Sequence, residues 1–200
     1  MSSSSPNPVV RTVALTCHPT TPCQDVRSIE VEVRRGGDTT LEFGYRLDGD
    51  LARLLIPSES TPRRADGLWQ HTCFEAFLAS EGGVGYYEFN FAPSGEWAIY
   101  RFSAYREAMT AVEDARPPRI SVRREAARLS LEAVIDLASL PALQDTRVLR
   151  LALSAVVEDA QLNLSYWALA HPPGKPNFHH ADSFTLTLPS SLSRRRGRGR

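Results

Sequence analysis

Residues 71–103 read HTCFEAFLASEGGVGYYEFNFAPSGEWAIYRFS. The apolar and polar residues of this stretch fall into three short segments, which predict strands at His71–Ala79, Tyr86–Ala92 and Glu96–Ser103. The joints between them contain Gly82-Gly83 and Pro93-Ser94-Gly95. Such residues favour tight turns, because glycine adopts positive φ and proline fixes φ at a turn value. The stretch therefore predicts three consecutive antiparallel strands rather than β-α-β units.

Segments of the same kind lie on both sides of this stretch. They predict further strands at Val9–Thr16, Arg27–Arg34, Thr39–Leu47, Arg53–Ile56, Arg119–Arg124, Arg128–Asp136, Val148–Val157, Leu162–Ala170 and Ser183–Leu188. Tyr105–Ala115 is predicted to be a short helical excursion, and Leu137–Leu143 a helical turn or loop. About eleven closely spaced strands without a sustained helical period predict an all-β fold, an antiparallel β-sandwich.

The chain has 200 residues, which fits one domain. Hydrophobic residues make up 42% and charged residues 23% of the sequence, as in an ordinary globular protein. No apolar run approaches the ~20 residues of a membrane-spanning helix, so no membrane partner is expected. We predict one folded domain over residues 9–188, with disordered segments at 1–8 and 189–200.

The two ends of the chain bear on location and partners. Met1–Pro8 is rich in Ser and Pro without a basic region, and Arg11 interrupts the apolar run that follows, so we expect no signal peptide and a cytoplasmic protein. Five arginines lie within Arg194–Arg200, and without them acidic residues outnumber basic ones by five. This balance argues against a nucleic-acid-binding surface on the domain and leaves only the tail for such contacts. The sequence leaves the oligomeric state open.

Three predicted strands carry aromatic and hydrogen-bonding side chains at alternate positions. On His71–Ala79 the alternate residues from Thr72 to Leu78 are expected to face the core, which turns Glu75 outward. Asn163 and Trp167 share one face of their strand, and Arg101 shares a face with Trp97 on another. A tryptophan ring can cover the apolar face of a sugar while Glu, Asn and Arg side chains hydrogen-bond its hydroxyls. The candidate ligand-binding residues are therefore Trp69, Glu75, Arg101, Asn163 and Trp167.

A rigid, irregular loop follows the predicted strand Leu162–Ala170. It reads HPPGKPNFHHAD at residues 171–182, and its prolines and glycine favour a fixed, non-repetitive backbone of the kind that often carries function. The chain contains 22 arginines and one lysine, which is Lys175 in this loop. This bias suggests a requirement for a compact ammonium group. Lys175, Asn177 and His179 are the loop's candidate ligand-binding residues, with Lys175 and His179 at the rim of the site.

Other chemistries have weaker support. Adjacent histidines on an extended chain point to opposite sides and no H-x-H or H-x-x-x-H pair is present, so we expect no metal site. The three cysteines, Cys17, Cys23 and Cys73, lack metal-ligand spacing and are predicted to be reduced thiols. Two alternatives remain open. One is an enzyme acting on a glycoside or an envelope precursor, with Glu75 as a base and His179 as an acid or metal ligand. The other is an interaction module whose arginine tail contacts nucleic acid.

Three segments carry a family resemblance: LWQHTCFEAFL at 68–78, YEFNFAPSGEW at 87–97 and GKPNFHHADSF at 174–184. Together they resemble the DOMON-like superfamily, which includes the family 9 carbohydrate-binding modules, and the third segment is similar to a bacterial, stand-alone subgroup. The resemblance spans roughly residues 10–188.

The resemblance implies an antiparallel β-sandwich with a ligand on or between its sheet faces. It implies that Trp69 and Trp167 sandwich a sugar and that Glu75, Arg101 and Asn163 hold its hydroxyls. Some relatives bind haem through Met and His, but the only internal methionine here, Met109, lies outside the predicted strands, so no cofactor is expected. The sequence thus predicts a non-catalytic domain that binds a mono- or oligosaccharide or a glycoconjugate.

Overall fold

The computed structural model of the chain describes residues 8–36, 39–144 and 146–190. Within them are twelve strands: β1 Val9–Cys17, β2 Val26–Gly36, β3 Thr40–Gly49, β4 Cys73–Ser80, β5 Tyr86–Phe91, β6 Trp97–Phe102, β7 Thr110–Ala111, β8 Arg119–Glu125, β9 Arg128–Asp136, β10 Val148–Glu158, β11 Leu164–Ala168 and β12 Leu186–Pro189. Single 3-10 turns lie at Leu51–Arg53, Leu68–Gln70, Leu137–Ser139, Pro141–Leu143 and Ala181–Ser183. No helix in this described part of the chain has the length and hydrophobicity needed to span a bilayer.

The strands form two antiparallel sheets that share β1. Sheet I has the order β1-β2-β3-β9-β8, and sheet II the order β7-β6-β5-β4-β10-β11-β1, with β12 also paired to β10. The first part of β1, Val9 to Leu15, pairs with β2, whereas Thr16 and Cys17 pair with β11. The twelve strands therefore form one continuous hydrogen-bonded sheet, which curls so that sheet I packs against sheet II.

The main core lies between the two sheets. Alternate residues of β2, β3 and β9 point inward from sheet I, because residues two apart on a strand lie on the same face. They meet alternate residues of β4, β5, β6 and β10, and the best-buried large side chains of this core include Ile29, Leu41, Phe43, Tyr45, Leu47, Phe74, Leu78, Phe89, Phe91 and Ile99. The Tyr45 hydroxyl crosses between the sheets and donates a 2.7 Å hydrogen bond to the backbone carbonyl of Glu75.

Sheet II is buried on its outer face as well. A second apolar cluster there contains Phe77, Tyr86, Tyr100, Phe102 and Phe178. Every residue of β5 and all but the last of β4 are buried. Their inner face packs in the core between the sheets, and chain segments from residues 64–70, 103–109 and 171–184 lie over their outer face. Covering segments of this kind can enclose a site between themselves and the sheet.

The outer face of sheet I is different in kind. It carries alternating acidic and basic side chains that form exposed ion pairs, including Arg34 with Glu32, Arg46 with Glu30, and Arg128 with Asp48. Such pairs contribute little stability at an exposed surface but keep the face solvated. The two sides of the molecule are therefore a charged face and a covered apolar face.

The all-β antiparallel fold predicted from the sequence is confirmed, and eleven of the twelve strands overlap a predicted one. Two local predictions are wrong. Arg53–Ile56 is not a strand: the chain makes a 3-10 turn at Leu51–Arg53, and only Leu54 forms a bridge, to Asp159. Tyr105–Ala115 contains no helix, because its backbone pairs at β7 with the edge of β6. The tail Arg194–Arg200 and residues 1–7 lie outside the described residues.

Removal of the Tyr45 hydroxyl tests the contact between the sheets. We expect Tyr45→Phe to lower the free energy of unfolding by about 1 kcal/mol, because a buried hydrogen bond is lost without a change in side-chain volume. Tyr166→Phe is the matched control, since its hydroxyl makes no hydrogen bond to any described residue. Urea denaturation of the three proteins measures the difference, and equal midpoints would contradict the assigned contact.

Candidate functional site

A cleft of about 480 Å³ opens on the outer face of sheet II. Its floor is formed by β4, β5 and β10, and its walls by the turn Leu68–Gln70, the 103–109 segment, β11 and the 171–184 loop. The lining residues are Trp69, Glu75, Glu88, Phe102, Arg106, Met109, Val156, Tyr166, Pro176, Phe178 and His179. Aromatic rings and ionisable groups thus line one cleft, which is a usual composition for a ligand site.

Two carboxyl groups form part of the floor. Glu75 lies opposite Asn90 in the β4–β5 ladder, and Glu88 lies two residues along β5 from Asn90, so both glutamates project from the same face of the sheet. Diagonal neighbours of this kind are about 7–8 Å apart. Their exposed fractions are only 2% and 5%. The sheet therefore holds two acidic groups out of bulk water at the base of the cleft.

Each carboxyl accepts one side-chain hydrogen bond from the described part of the chain. The Asn90 amide donates to Glu88 Oε1 over 2.8 Å, and the Ser154 hydroxyl donates to Glu75 Oε2 over 3.2 Å. Burial raises the pKa of both carboxyls, and the charge of Glu88 raises the pKa of Glu75 further. Each of the two carboxyls therefore keeps its proton to a higher pH than an exposed glutamate would.

His179 lies beside the carboxyls on the loop side of the cleft. Its Nδ1 is 2.9 Å from the Tyr86 hydroxyl, and its Nε2 is 3.8 Å from Glu88 Oε2. Burial, with a smaller effect from the charge of Arg106, lowers the pKa of His179 to about 4. The imidazole is consequently neutral at physiological pH and can offer a hydrogen bond without adding charge.

Trp69 forms a wall of the cleft. It lies in the 3-10 turn that begins after Gly67, where the backbone adopts φ of 76°, a value that favours glycine. Its indole is 36% exposed and packs edge-on against Tyr100 with ring centroids 5.7 Å apart. The Tyr100 hydroxyl in turn donates to Asp66 over 2.6 Å. The ring is thus held in place while part of it remains available to a ligand.

Two covering segments are joined by the Asn177 side chain. Its amide nitrogen donates to the Tyr105 hydroxyl over 2.7 Å, and its carbonyl oxygen accepts from Arg106 Nη2 over 3.4 Å. Beside it, Phe178 is buried and its ring lies 5.9 Å from that of Tyr166. Asn177 therefore fixes the 171–184 loop to the 103–109 segment and shapes one edge of the cleft.

Comparison with known proteins reveals a likeness of fold alone. A protein from Bacteroides uniformis, described as a candidate carbohydrate-binding protein, superposes with a TM-score of 0.60 at 16% identity, covering 90% of this chain and 85% of that one. A family 9 carbohydrate-binding module from Caldicellulosiruptor kristjanssonii superposes with a TM-score of 0.50 at 12% identity, covering 84% of this chain. Its structures contain cellotriose, with 76% of that chain covered, and glucose, with 78% covered. The fold is similar to that of carbohydrate-binding modules.

No protein-family model matches this sequence, and no curated protein matches it either. The relation to the DOMON-like superfamily therefore stays a prediction, whereas the likeness of the fold to family 9 modules is an observation.

The structure brings together only some of the residues that the sequence singled out. Trp69, Glu75 and His179 line the cleft, and Asn177 lies at its edge. Lys175 is exposed on the same loop but is not among the lining residues. The remaining candidates, Arg101, Asn163 and Trp167, lie elsewhere.

The expected pair of Trp69 and Trp167 is not formed. Trp167 is 6% exposed, belongs to the core between the sheets, and donates from its indole to Ser165 Oγ over 3.1 Å. Its neighbour Tyr166 faces the cleft instead. The alternation along β11 correctly places Tyr166 and Trp167 on opposite faces of the strand. Both faces of sheet II are apolar, however, so the pattern does not show which of them is the core face.

Arg101 and Asn163 also lie outside the cleft, each for its own reason. Arg101 projects from the same face of β6 as the core residues Trp97 and Ile99, beyond the end of the core, and is exposed. Asn163 lies before β11 in a tight loop, where its amide donates to both carboxylate oxygens of Asp159, over 3.3 and 3.1 Å. Neither residue lines the cleft.

Sequence reasoning missed Glu88, Arg106 and Tyr166 as cleft residues. Glu88 had a detectable signal, because it shares a face with Asn90 in a segment that is otherwise aromatic. Arg106 had none, since its position depends on the unpredicted course of the 103–109 segment, where it adopts φ of 54°.

Proposed function

We propose that this chain is a non-catalytic domain that binds a mono- or oligosaccharide in the cleft on the outer face of sheet II. The observation that carries the proposal is that aromatic rings and buried hydrogen-bonding groups line one cleft on the face of a sheet. Sugars present apolar C–H faces and hydroxyl edges, and this combination is complementary to both.

In this proposal Trp69 and Tyr166 provide the ring surfaces. Glu75 and Glu88 accept hydrogen bonds from sugar hydroxyls, and His179 provides a neutral polar group beside them. Tyr166 takes the role that the sequence had suggested for Trp167. Because the ligand groups project mostly from strands and from hydrogen-bonded turns, little ordering is needed on binding, which favours affinity.

The likeness to family 9 modules supports the proposal at the level of the fold. The C. kristjanssonii module was solved with glucose and with cellotriose, which makes these two sugars the first ligands to test. We expect weak binding, because a few ring contacts and hydrogen bonds at about 1 kcal/mol each, reduced by the cost of association, correspond to dissociation constants near millimolar.

Calorimetric titration with a panel of mono- and oligosaccharides tests the site. We expect a saturable signal for at least one sugar and a loss of about tenfold in its affinity in Tyr166→Ala, which removes one ring surface. Arg101→Ala is the matched control, because this exposed side chain projects from the opposite face of the sheet, and its affinity should equal that of the unaltered protein. Equal affinities for all three proteins would place the site elsewhere.

An enzyme acting on a glycoside is a second candidate, and the paired carboxyls favour it. Glycosidases commonly use two acidic side chains, one of which has a raised pKa and serves as the general acid. Release of the aryl group from aryl glycosides by the unaltered protein, abolished in both Glu75→Gln and Glu88→Gln, would establish catalysis. Sugar binding without turnover would support the non-catalytic proposal.

A further inference from the structure

The cleft is unusual in its charge. The ionisable groups that line it are Glu75, Glu88, Arg106 and His179. His179 is neutral at physiological pH, for the reasons given above. The raised pKa values of Glu75 and Glu88 favour their protonated forms in the empty cleft; once both are ionised, the lining carries two negative charges and one positive charge. A ligand with one positive charge would balance them.

Arg106 does not already neutralise the carboxyls by direct contact. Its guanidinium is exposed and hydrogen-bonds to Asn177, and its backbone amide donates to the Tyr86 hydroxyl over 3.2 Å. Among the ion pairs within residues 8–36, 39–144 and 146–190, none joins Arg106 to Glu75 or Glu88. The nearest basic side chain to Glu88 is the neutral imidazole of His179, at 3.8 Å.

The carboxyls also have unused hydrogen-bonding capacity. A carboxylate accepts about four hydrogen bonds, whereas Glu75 and Glu88 each receive one from side chains of the described residues. Burying an ionised carboxylate without a cation is costly, and the cost is relieved when a charged donor enters the site. A primary ammonium supplies three N–H donors and one positive charge in a compact group.

The aromatic part of the lining has a matching property. Trp69, Tyr166, Phe102 and Phe178 surround the carboxyls, and the faces of such rings attract cations. Rings and carboxylates together form the kind of site that recognises amines. A carboxylate-bearing sugar would instead meet two acidic groups of its own sign.

We propose that the cleft selects an amino sugar with an unmodified, protonated amino group, which donates hydrogen bonds to Glu75 and Glu88 while its ring contacts Trp69 and Tyr166. This inference rests on the proposed sugar-binding function and assigns the chemical class of the ligand. The raised pKa values of the two carboxyls are consistent with it: the charge of Arg106 offsets the burial of Glu88 only in part, and no basic group offsets that of Glu75, so a bound ammonium would supply a counter-charge in direct contact with both.

Glucosamine, glucose and N-acetylglucosamine form a matched series, since they differ only at one ring position and only the first carries a positive charge. Calorimetric titrations at pH 7 should give glucosamine an affinity at least about tenfold higher than glucose or N-acetylglucosamine. Repeating the glucosamine titration in two buffers with different ionisation enthalpies should reveal release of protons from the carboxyls on binding.

Isosteric variants locate the selectivity. Glu88→Gln should reduce the ratio of glucosamine to glucose affinity to near one, and Glu75→Gln should act in the same direction. Glu132→Gln, an exposed position on β9 of sheet I, is the matched control and should leave the ratio unchanged. If Glu75→Gln does not fold, Glu88→Gln alone tests whether these carboxyls cause the preference for glucosamine.

The outcomes separate the two proposals. Binding of glucose with equal or weaker binding of glucosamine would overturn the amine selectivity and leave the sugar site standing. A preference for glucosamine that persists in the Glu88→Gln and Glu75→Gln variants would overturn the assignment to these carboxyls. Failure of every sugar tested to bind would overturn both proposals.

Discussion

Trp167→Ala is expected to lower the free energy of unfolding by about 3–5 kcal/mol, the usual cost of truncating a large buried ring. The indole lies in the core between the sheets and donates to the Ser165 hydroxyl, so its removal leaves a cavity and takes away one of the two hydrogen bonds of that hydroxyl. Trp69→Ala should cost far less stability, because that ring is 36% exposed, but should weaken sugar binding about tenfold. The two tryptophans thus have separable roles.

Urea denaturation and calorimetric sugar titration of both variants measure the two effects. The titration of Trp167→Ala is made at a temperature where the variant is folded, and its affinity should be close to that of the unaltered protein. Asn163→Ala serves as a control for both measurements, because its exposed side chain contacts Asp159 outside the cleft and the core. Loss of sugar binding in folded Trp167→Ala with no loss in Trp69→Ala would reverse the assignment.

As the pH rises, the unaltered protein is expected to lose stability relative to the Glu75→Gln variant. Burial and the charge of Glu88 raise the pKa of Glu75 in the folded state above its ordinary value of 4.5. The folded state therefore holds a proton that the unfolded chain has released, and stability falls as the pH rises from about 4.5 through the folded pKa. The slope approaches about 1.4 kcal/mol per pH unit for one proton. Glutamine does not titrate, so the variant lacks this loss.

Unfolding free energies of both proteins measured between pH 4 and pH 8 test this expectation. The difference should be small near pH 4 and should grow in favour of the variant above it. Glu96→Gln should show the opposite sign, because the Arg63 guanidinium lowers the pKa of Glu96 and an ionised carboxylate stabilises the folded state there. If the difference in unfolding free energy between Glu75→Gln and the unaltered protein did not change with pH, the raised pKa of Glu75 in the folded state would be contradicted.

The fold could be predicted from the sequence because its signals are local. Alternation on β4 identified Phe74, Ala76 and Leu78 as core residues and Glu75 as facing the other way, and the turns before and after β5 follow from their glycines and proline. These features depend on neighbours a few residues apart. The covering segments depend on contacts between distant residues, such as Asn177 with Tyr105, and leave no periodic signal.

The candidate site was predicted in part for the same reason. Glu75 and His179 were identified from strand phase and loop composition, and the role of Trp69 was implied by the family resemblance. Trp167 was misassigned because the sheet is covered on both faces, so that Tyr166 and Trp167 are each flanked by apolar residues. Only the position of the second sheet in space decides which of these two rings faces the core.

The central place of β10 in sheet II has a consequence for synthesis of the chain. β4 pairs with β5 on one edge and with β10 on the other, and β10 also carries β11 and β12. Hairpins such as β4–β5–β6 can form as soon as they leave the ribosome, but the second edge of β4 has no partner until Val148–Glu158 has been made. An apolar strand with an open edge is prone to pair with other chains. We therefore expect the nascent protein to be more prone to aggregation before its tenth strand emerges than after it.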